Sequence, residues 1–232
     1  MSSTILFRLS GLYLLLGGLL AVVSLIHPNA SSGLEYLSDP RTVPAHLLGH
    51  TALLLIMLGL PGLYAGQAER AGVLGLVGTV AVFFCVALLD GTHDVIDSMV
   101  RPALATLPEA APLLTEGGPL DSAMEAGPLG TIIAVTGPVF LLGMIVLGIA
   151  TIRARVLPRW VGTLPIVAAL FVPLGFVVPS LTGIAFAMPY VALGGLGLAL
   201  MVQRPAAING PAAPRSAEPT RRDASPERSE VR

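Results

Sequence analysis

The sequence predicts an all-α integral membrane bundle of six transmembrane helices, with both chain ends in the cytoplasm. Three observations carry that prediction: a composition too apolar for water, six apolar runs of membrane-spanning length, and a one-sided distribution of arginine. Of the 232 residues, 54% are hydrophobic and 12% charged, and the mean hydropathy is +0.82. A water-soluble domain carries about 25% charged residues because its surface must be wetted. Half that amount assigns most of the surface to lipid. The net charge of −1 supplies no basic field for phosphate, which argues against a nucleic-acid partner.

The apolar runs are Ile5 to Ile26, Pro44 to Gly66, Ala71 to Leu89, Leu129 to Ile152, Trp160 to Val178 and Leu181 to Val202. Crossing a bilayer core of about 30 Å takes roughly 20 helical residues, and each run is close to that. The first is too long for a signal-peptide core of about 7–15 residues, and no Ala-x-Ala site follows it, so it is read as a retained helix. The stretch from Trp160 to Val202 carries no charge. As one helix it would measure about 65 Å, twice the bilayer core, so the chain must turn. Pro179-Ser180 is the corner, because the residue before a proline avoids helical geometry.

Arginine sets the orientation, since loops on the cytoplasmic side retain positive charge. With the N-terminus inside, Arg8, Arg70, Arg153, Arg155, Arg159, Arg204 and five tail arginines lie inside, and only Arg41 and Arg101 lie outside. That is the topology of a multi-pass protein of the bacterial inner (cytoplasmic) membrane. Residues 1–204 form the transmembrane domain. Residues 205–232, rich in Pro, Ala, Ser, Arg and Glu, bury too little to offset ordering entropy and form a disordered cytoplasmic tail. In the long outer loop from Ser98 to Pro128, Ala103 to Leu114 is a candidate short interfacial helix.

Within the spans, Pro61, Pro138, Pro165, Pro173 and Pro189 predict kinks, which membrane bundles tolerate. Gly62-x-x-x-Gly66 and the Gly72, Gly75, Gly78 series offer smooth faces for close helix packing. The single cysteine, Cys85, is read as a small apolar side chain.

The ionisable groups gather at one end. No Asp, Glu, Arg, Lys or His lies near the centre of any span, which counts against an ion-coupled transporter. His27 ends the first run, His46 and His50 open the second, and Asp90, His93, Asp94 and Asp97 follow the third. All four histidines thus fall at the outer boundary. His46 and His50 are four apart and share a helix face. If helix continues beyond Leu89, Asp90, His93, Asp94 and Asp97 form a stripe opposite them. Two readings fit. Polar side chains cap helix ends and meet headgroups there. The same set also suits zinc or another divalent metal, with His46, His50 and His93 as ligands and Asp90 and Asp94 as catalytic or orienting carboxylates. Haem ligation by a His pair is poorly served so close to the surface.

Together with Ser24, which would lie near His27, this combination of Ser, Asp and three His resembles the site of the transmembrane metal hydrolases related to alkaline ceramidases. By that resemblance His46, His50 and His93 would hold zinc, assisted by Ser24 and by Asp90 or Asp94. Those proteins have seven helices and place the His-x-x-x-His pair in the last, whereas here it opens the second. The likeness is to a type of site. Over most of residues 5–204 the chain resembles uncharacterised multi-pass proteins of high-GC bacteria, through Leu60 to Ala65 (LeuProGlyLeuTyrAla) and Arg153 to Gly162 (ArgAlaArgValLeuProArgTrpValGly). That resemblance implies a six-helix fold and no activity.

Three functions follow from these residues. One is a non-catalytic structural, regulatory or partner-binding component. Another is a membrane enzyme at the outer leaflet, acting on a lipid-like small molecule through metal-bound water or carboxylate acid–base chemistry, with isoprenoid cyclases in the same class. The third is a facilitator for an apolar solute.

Overall fold

A computed structural model of the chain describes residues 3–25, 36–37, 39–89, 92, 95–115 and 118–203. The described residues form eight α-helices: α1 (Ser3–Ser24), α2 (Thr42–Ala65), α3 (Ala68–Leu89), α4 (Arg101–Ala105), α5 (Pro119–Ala126), α6 (Pro128–Ala154), α7 (Arg159–Val177) and α8 (Thr182–Val202). No strand occurs among the described residues. Six of the helices are long and apolar enough to span a membrane, and they match the six runs above to within three residues at each end. The protein is a multi-pass, all-α membrane bundle. The expected corner is present, since Val178 leaves the helical region (φ −121°, ψ 95°) and Pro179–Leu181 forms a 3₁₀ turn. The disordered tail expected over 205–232, and His27, Asp90, His93 and Asp94, lie outside the described residues.

The six spans close into a ring in chain order. Helix α1 packs on α2 and on α8, α8 on α7, α7 on α6, and α6 on α3, while α2 and α3 meet more lightly. Leu14, Ile56, Leu60, Val82, Met144, Leu147, Val161, Leu193 and Leu196 fill the middle with no exposed surface. Around the outside stand Leu58, Leu142, Leu170, Phe176 and Val73, each 60% exposed or more. In water such a girdle would drive aggregation; here it is the face turned to acyl chains.

Lipid is as apolar as leucine, so burial alone gives one helix no preference for another, and close packing must supply it. Glycine permits that packing on five seams. A Cβ on Gly11 would stand 2.6 Å from the Gly197 carbonyl oxygen, and one on Gly18 2.5 Å from that of Tyr190, so α1 and α8 touch backbone to backbone. Gly17 meets Ala52 of α2, Gly78 meets Leu147 of α6, Gly148 and Gly162 face each other across α6 and α7, and Gly175 meets Ala185 of α8. Of the glycines expected to pack, Gly62 lies against Ser10 and Gly78 against α6, but Gly72 has nothing within 4 Å. Gly72 instead breaks the helix, at φ 56° and ψ −150°, a conformation open to glycine. The predicted prolines all lie within continuous helices, and Cys85 is buried.

Thr79, in the middle of α3, is 5% exposed and its hydroxyl has no hydrogen-bond partner among the described residues. An orphaned buried hydroxyl costs about 1–3 kcal/mol, while an apolar group of the same shape costs nothing comparable. Thr79→Val is therefore expected to raise the melting temperature in detergent. A clear fall would show that the hydroxyl is satisfied in the native bundle.

Candidate functional site: the N-terminal end of α2

The segment before α2 is tied down by short-range polar contacts. Asp39 accepts the Arg41 backbone N–H (2.8 Å) and two guanidinium N–H groups, Nε at 3.0 Å and Nη2 at 2.8 Å. The Thr42 N–H closes the turn on the Asp39 carbonyl. These donors favour the carboxylate, the Arg41 side chain first and its backbone N–H second, and hold the Asp39 pKa at about 2 against an ordinary 3.8. Because the folded value is the lower one, the pair's contribution is fully present above pH 3.8 and is lost as pH falls through about 2. An NMR titration should find the Asp39 carboxyl titrating near 2, and Arg41→Ala should return it towards 3.8. An unmoved midpoint in Arg41→Ala would remove Arg41 as the cause.

Behind this turn sits a buried polar knot. Tyr36 and His46 are 7% and 5% exposed, and Thr42 is fully buried. The Thr42 hydroxyl donates to the Tyr36 carbonyl (2.7 Å). His46 Nδ1 lies 2.9 Å from the Thr42 carbonyl oxygen. A carbonyl only accepts, so Nδ1 carries the proton, and in the neutral ring Nε2 is an acceptor. The Tyr36 hydroxyl donates to it at 3.3 Å, with the two rings edge to face at 88°. His46 is thereby fixed in position and tautomer by Thr42, the first residue of its own helix, and by Tyr36 before it.

His50 follows one turn deeper on the same helix, half-buried. Beside α2 packs a single π-helical turn, Ile96–Val100, whose Ser98 is buried. The loop after α3 thus packs against α2. Of the stripe expected from Asp90 to Asp97 only Asp97 is among the described residues, within the π-helical turn Ile96–Val100. Ser24 donates to the Ala21 carbonyl (2.8 Å). The expected interfacial helix over Ala103–Leu114 appears as two short pieces, α4 and a 3₁₀ turn at Pro108–Leu113, divided at Leu107, and α5 was not foreseen.

The structure thus brings His46 and His50 onto one face. Among the described residues no group of three metal-ligating side chains forms. His93, Asp90 and Asp94, needed to complete the expected set, lie outside those residues. Sequence reasoning missed Tyr36, Thr42 and Ser98. Tyr36 offered a signal, as an aromatic with a polar tip in an outer loop, the kind of side chain that sits at a membrane boundary. No protein-family model, curated protein or solved structure matches this chain.

Proposed function

We propose that the protein is a non-catalytic component of the cytoplasmic membrane, with both ends inside, that presents its outer rim to a partner or lipid-like molecule and moves nothing through its centre. The observation that carries this reading is the shut interior. Nine large apolar side chains along the ring have no exposed surface, and helix backbones meet directly at the glycine seams. A solute path needs polar lining or a gap, and a coupled transporter needs ionisable groups at mid-depth. The ionisable side chains of the spans stand at their ends instead.

The test is flux. Liposomes reconstituted with the protein should pass protons, small ions and small uncharged solutes no faster than empty liposomes. Protein-dependent flux above that background would overturn the reading.

A second reading, a metal-dependent enzyme at the outer rim, is favoured by the setting of His46. An imidazole with Nδ1–H held by a carbonyl presents Nε2 outward, the arrangement in which histidine ligates metals. The Tyr36 hydroxyl takes that nitrogen in the structure, so a metal would have to displace it. Tyr36→Phe separates the readings. Under the first it lowers stability and the protein stays metal-free; under the second, purified protein carries near-stoichiometric zinc and Tyr36→Phe binds it at least as tightly.

A further inference from the structure

At the opposite end of the bundle the loop between α6 and α7 makes an open hollow of about 440 Å³, lined by Ile152, Arg153, Arg155 and Arg159. Its volume falls within the range of about 300–1,000 Å³ usual for small-molecule sites. All three guanidinium side chains are exposed, and no described carboxylate pairs with any of them. The loop that carries them is held firmly. Val156 and Leu157 are buried, at 7% and 3%, and the Gln203 side-chain amide at the end of α8 donates to the Val156 carbonyl. Nearby, Gln67 donates to Thr151 (3.3 Å), fastening the α2–α3 turn to the end of α6.

The rule that places arginine at the cytoplasmic side asks only for positive charge on that side. It does not ask three arginines to line one hollow, nor explain Arg155. That residue ends α6 in the left-handed conformation (φ 52°, ψ 25°), where glycine or asparagine is usual. Left-handed geometry is unfavourable for a residue that carries a Cβ.

We infer that this hollow binds the phosphate of an anionic phospholipid headgroup. Guanidinium forks suit phosphate oxygens, taking two at once where an ammonium takes one. A lipid fits better than a free anion because one wall is apolar, formed by Ile152, and because Trp160, 61% exposed, stands next to Arg159. Exposed tryptophan beside arginine marks the headgroup level of a bilayer. The chain's own tail is a poor occupant. Residues 204–232 contain six arginines (Arg204, Arg215, Arg221, Arg222, Arg228 and Arg232) against four acids (Glu218, Asp223, Glu227 and Glu230), so the segment is itself basic.

The experiment uses the full chain in an uncharged detergent, with melting temperature and native mass spectrometry as readouts. Phosphatidylglycerol should raise the melting temperature and stay bound in the mass spectrum, whereas phosphatidylcholine and inorganic phosphate should do neither. Arg155→Gln, and separately Arg153→Gln with Arg159→Gln, should weaken phosphatidylglycerol binding by about tenfold or more, the loss of one or two charge-assisted bonds. Arg41→Gln, at the other end, should leave the affinity for phosphatidylglycerol and the shift it produces unchanged, whatever it does to the lipid-free melting temperature. Should Arg155→Gln fold poorly, Arg159→Lys remains readable because its site is regular helix, and it should also bind more weakly although its charge is kept. Four results would each overturn the inference. Phosphatidylcholine could stabilise equally, or inorganic phosphate could serve as well as the lipid, which would mark a free-anion site. The glutamine variants could respond fully to the lipid, or Arg159→Lys could bind as well as arginine, which would mark diffuse surface charge.

Discussion

Gly197→Val is expected to abolish most of the folded protein. A Cβ at position 197 would lie 2.5 Å from the Gly11 carbonyl oxygen, 2.6 Å from Leu14 Cβ and 2.7 Å from the Leu15 backbone nitrogen. Two of these three atoms are backbone, so no side-chain rotation relieves the clash and α1 as a whole must back away. Overpacking in a tight core costs about 1–3 kcal/mol when side chains can yield, and here the obstacle is a helix. Pushing α1 outward also breaks its reciprocal contact at Gly11 and the one at Gly18, where Tyr190 and Gly194 of α8 lie opposite. Gly137→Ala supplies the control, since a Cβ there meets nothing within 4 Å. It should be neutral, or stabilising by up to about 1 kcal/mol from better helix propensity. Both are read by size-exclusion profile and melting temperature in detergent. A Gly197→Val protein that melts like wild type would show that α1 and α8 do not meet in this register.

His46→Ala is expected to cost about 2–3 kcal/mol, the upper range for stranding buried hydrogen-bonding groups. The imidazole bonds to the Thr42 carbonyl on one side and the Tyr36 hydroxyl on the other, and its loss leaves both facing a small void. Tyr36→Phe removes a single hydroxyl and should cost about 1 kcal/mol. The double variant Tyr36→Phe/His46→Ala should be less damaging than the sum, because both changes remove one shared interaction. Additive costs would show that the 3.3 Å contact contributes nothing. A helix-end histidine that merely meets headgroups would lose far less, so the size of the His46→Ala effect separates a buried structural knot from a decorated helix end.

The fold was legible because membrane spans obey one dominant constraint. Backbone groups cannot face lipid unpaired, so every apolar run of sufficient length has to be helical. This fixed all six spans and the turn at Pro179. What the sequence did not disclose was pairing. Gly62-x-x-x-Gly66 and Gly72, Gly75, Gly78 looked equivalent as patterns, yet Gly78 packs on another helix and Gly72 only bends its own. Neighbours, not spacing, make the difference. The outer site was legible to the same degree. The four-residue interval placed His46 and His50 on one helix face. It carried no sign that Tyr36, ten residues away across an irregular segment, would supply the partner of Nε2. Short polar links across loops depend on chain path, which leaves no periodic trace.

The ring closes between the first span and the sixth, and this bears on how the protein is made. A translocating ribosome releases spans in order from the N-terminus. Helix α1 therefore reaches the bilayer with one of its two glycine-lined flanks uncovered, and its partner α8 is the last of these six spans to emerge. Neighbouring spans can dock as they emerge, but the architecture stays an open arc until the final helix arrives. Docking of α8 is thus what closes the ring, and a chain stalled before α8 would offer insertion chaperones and membrane proteases the bare Gly11 and Gly18 face of α1.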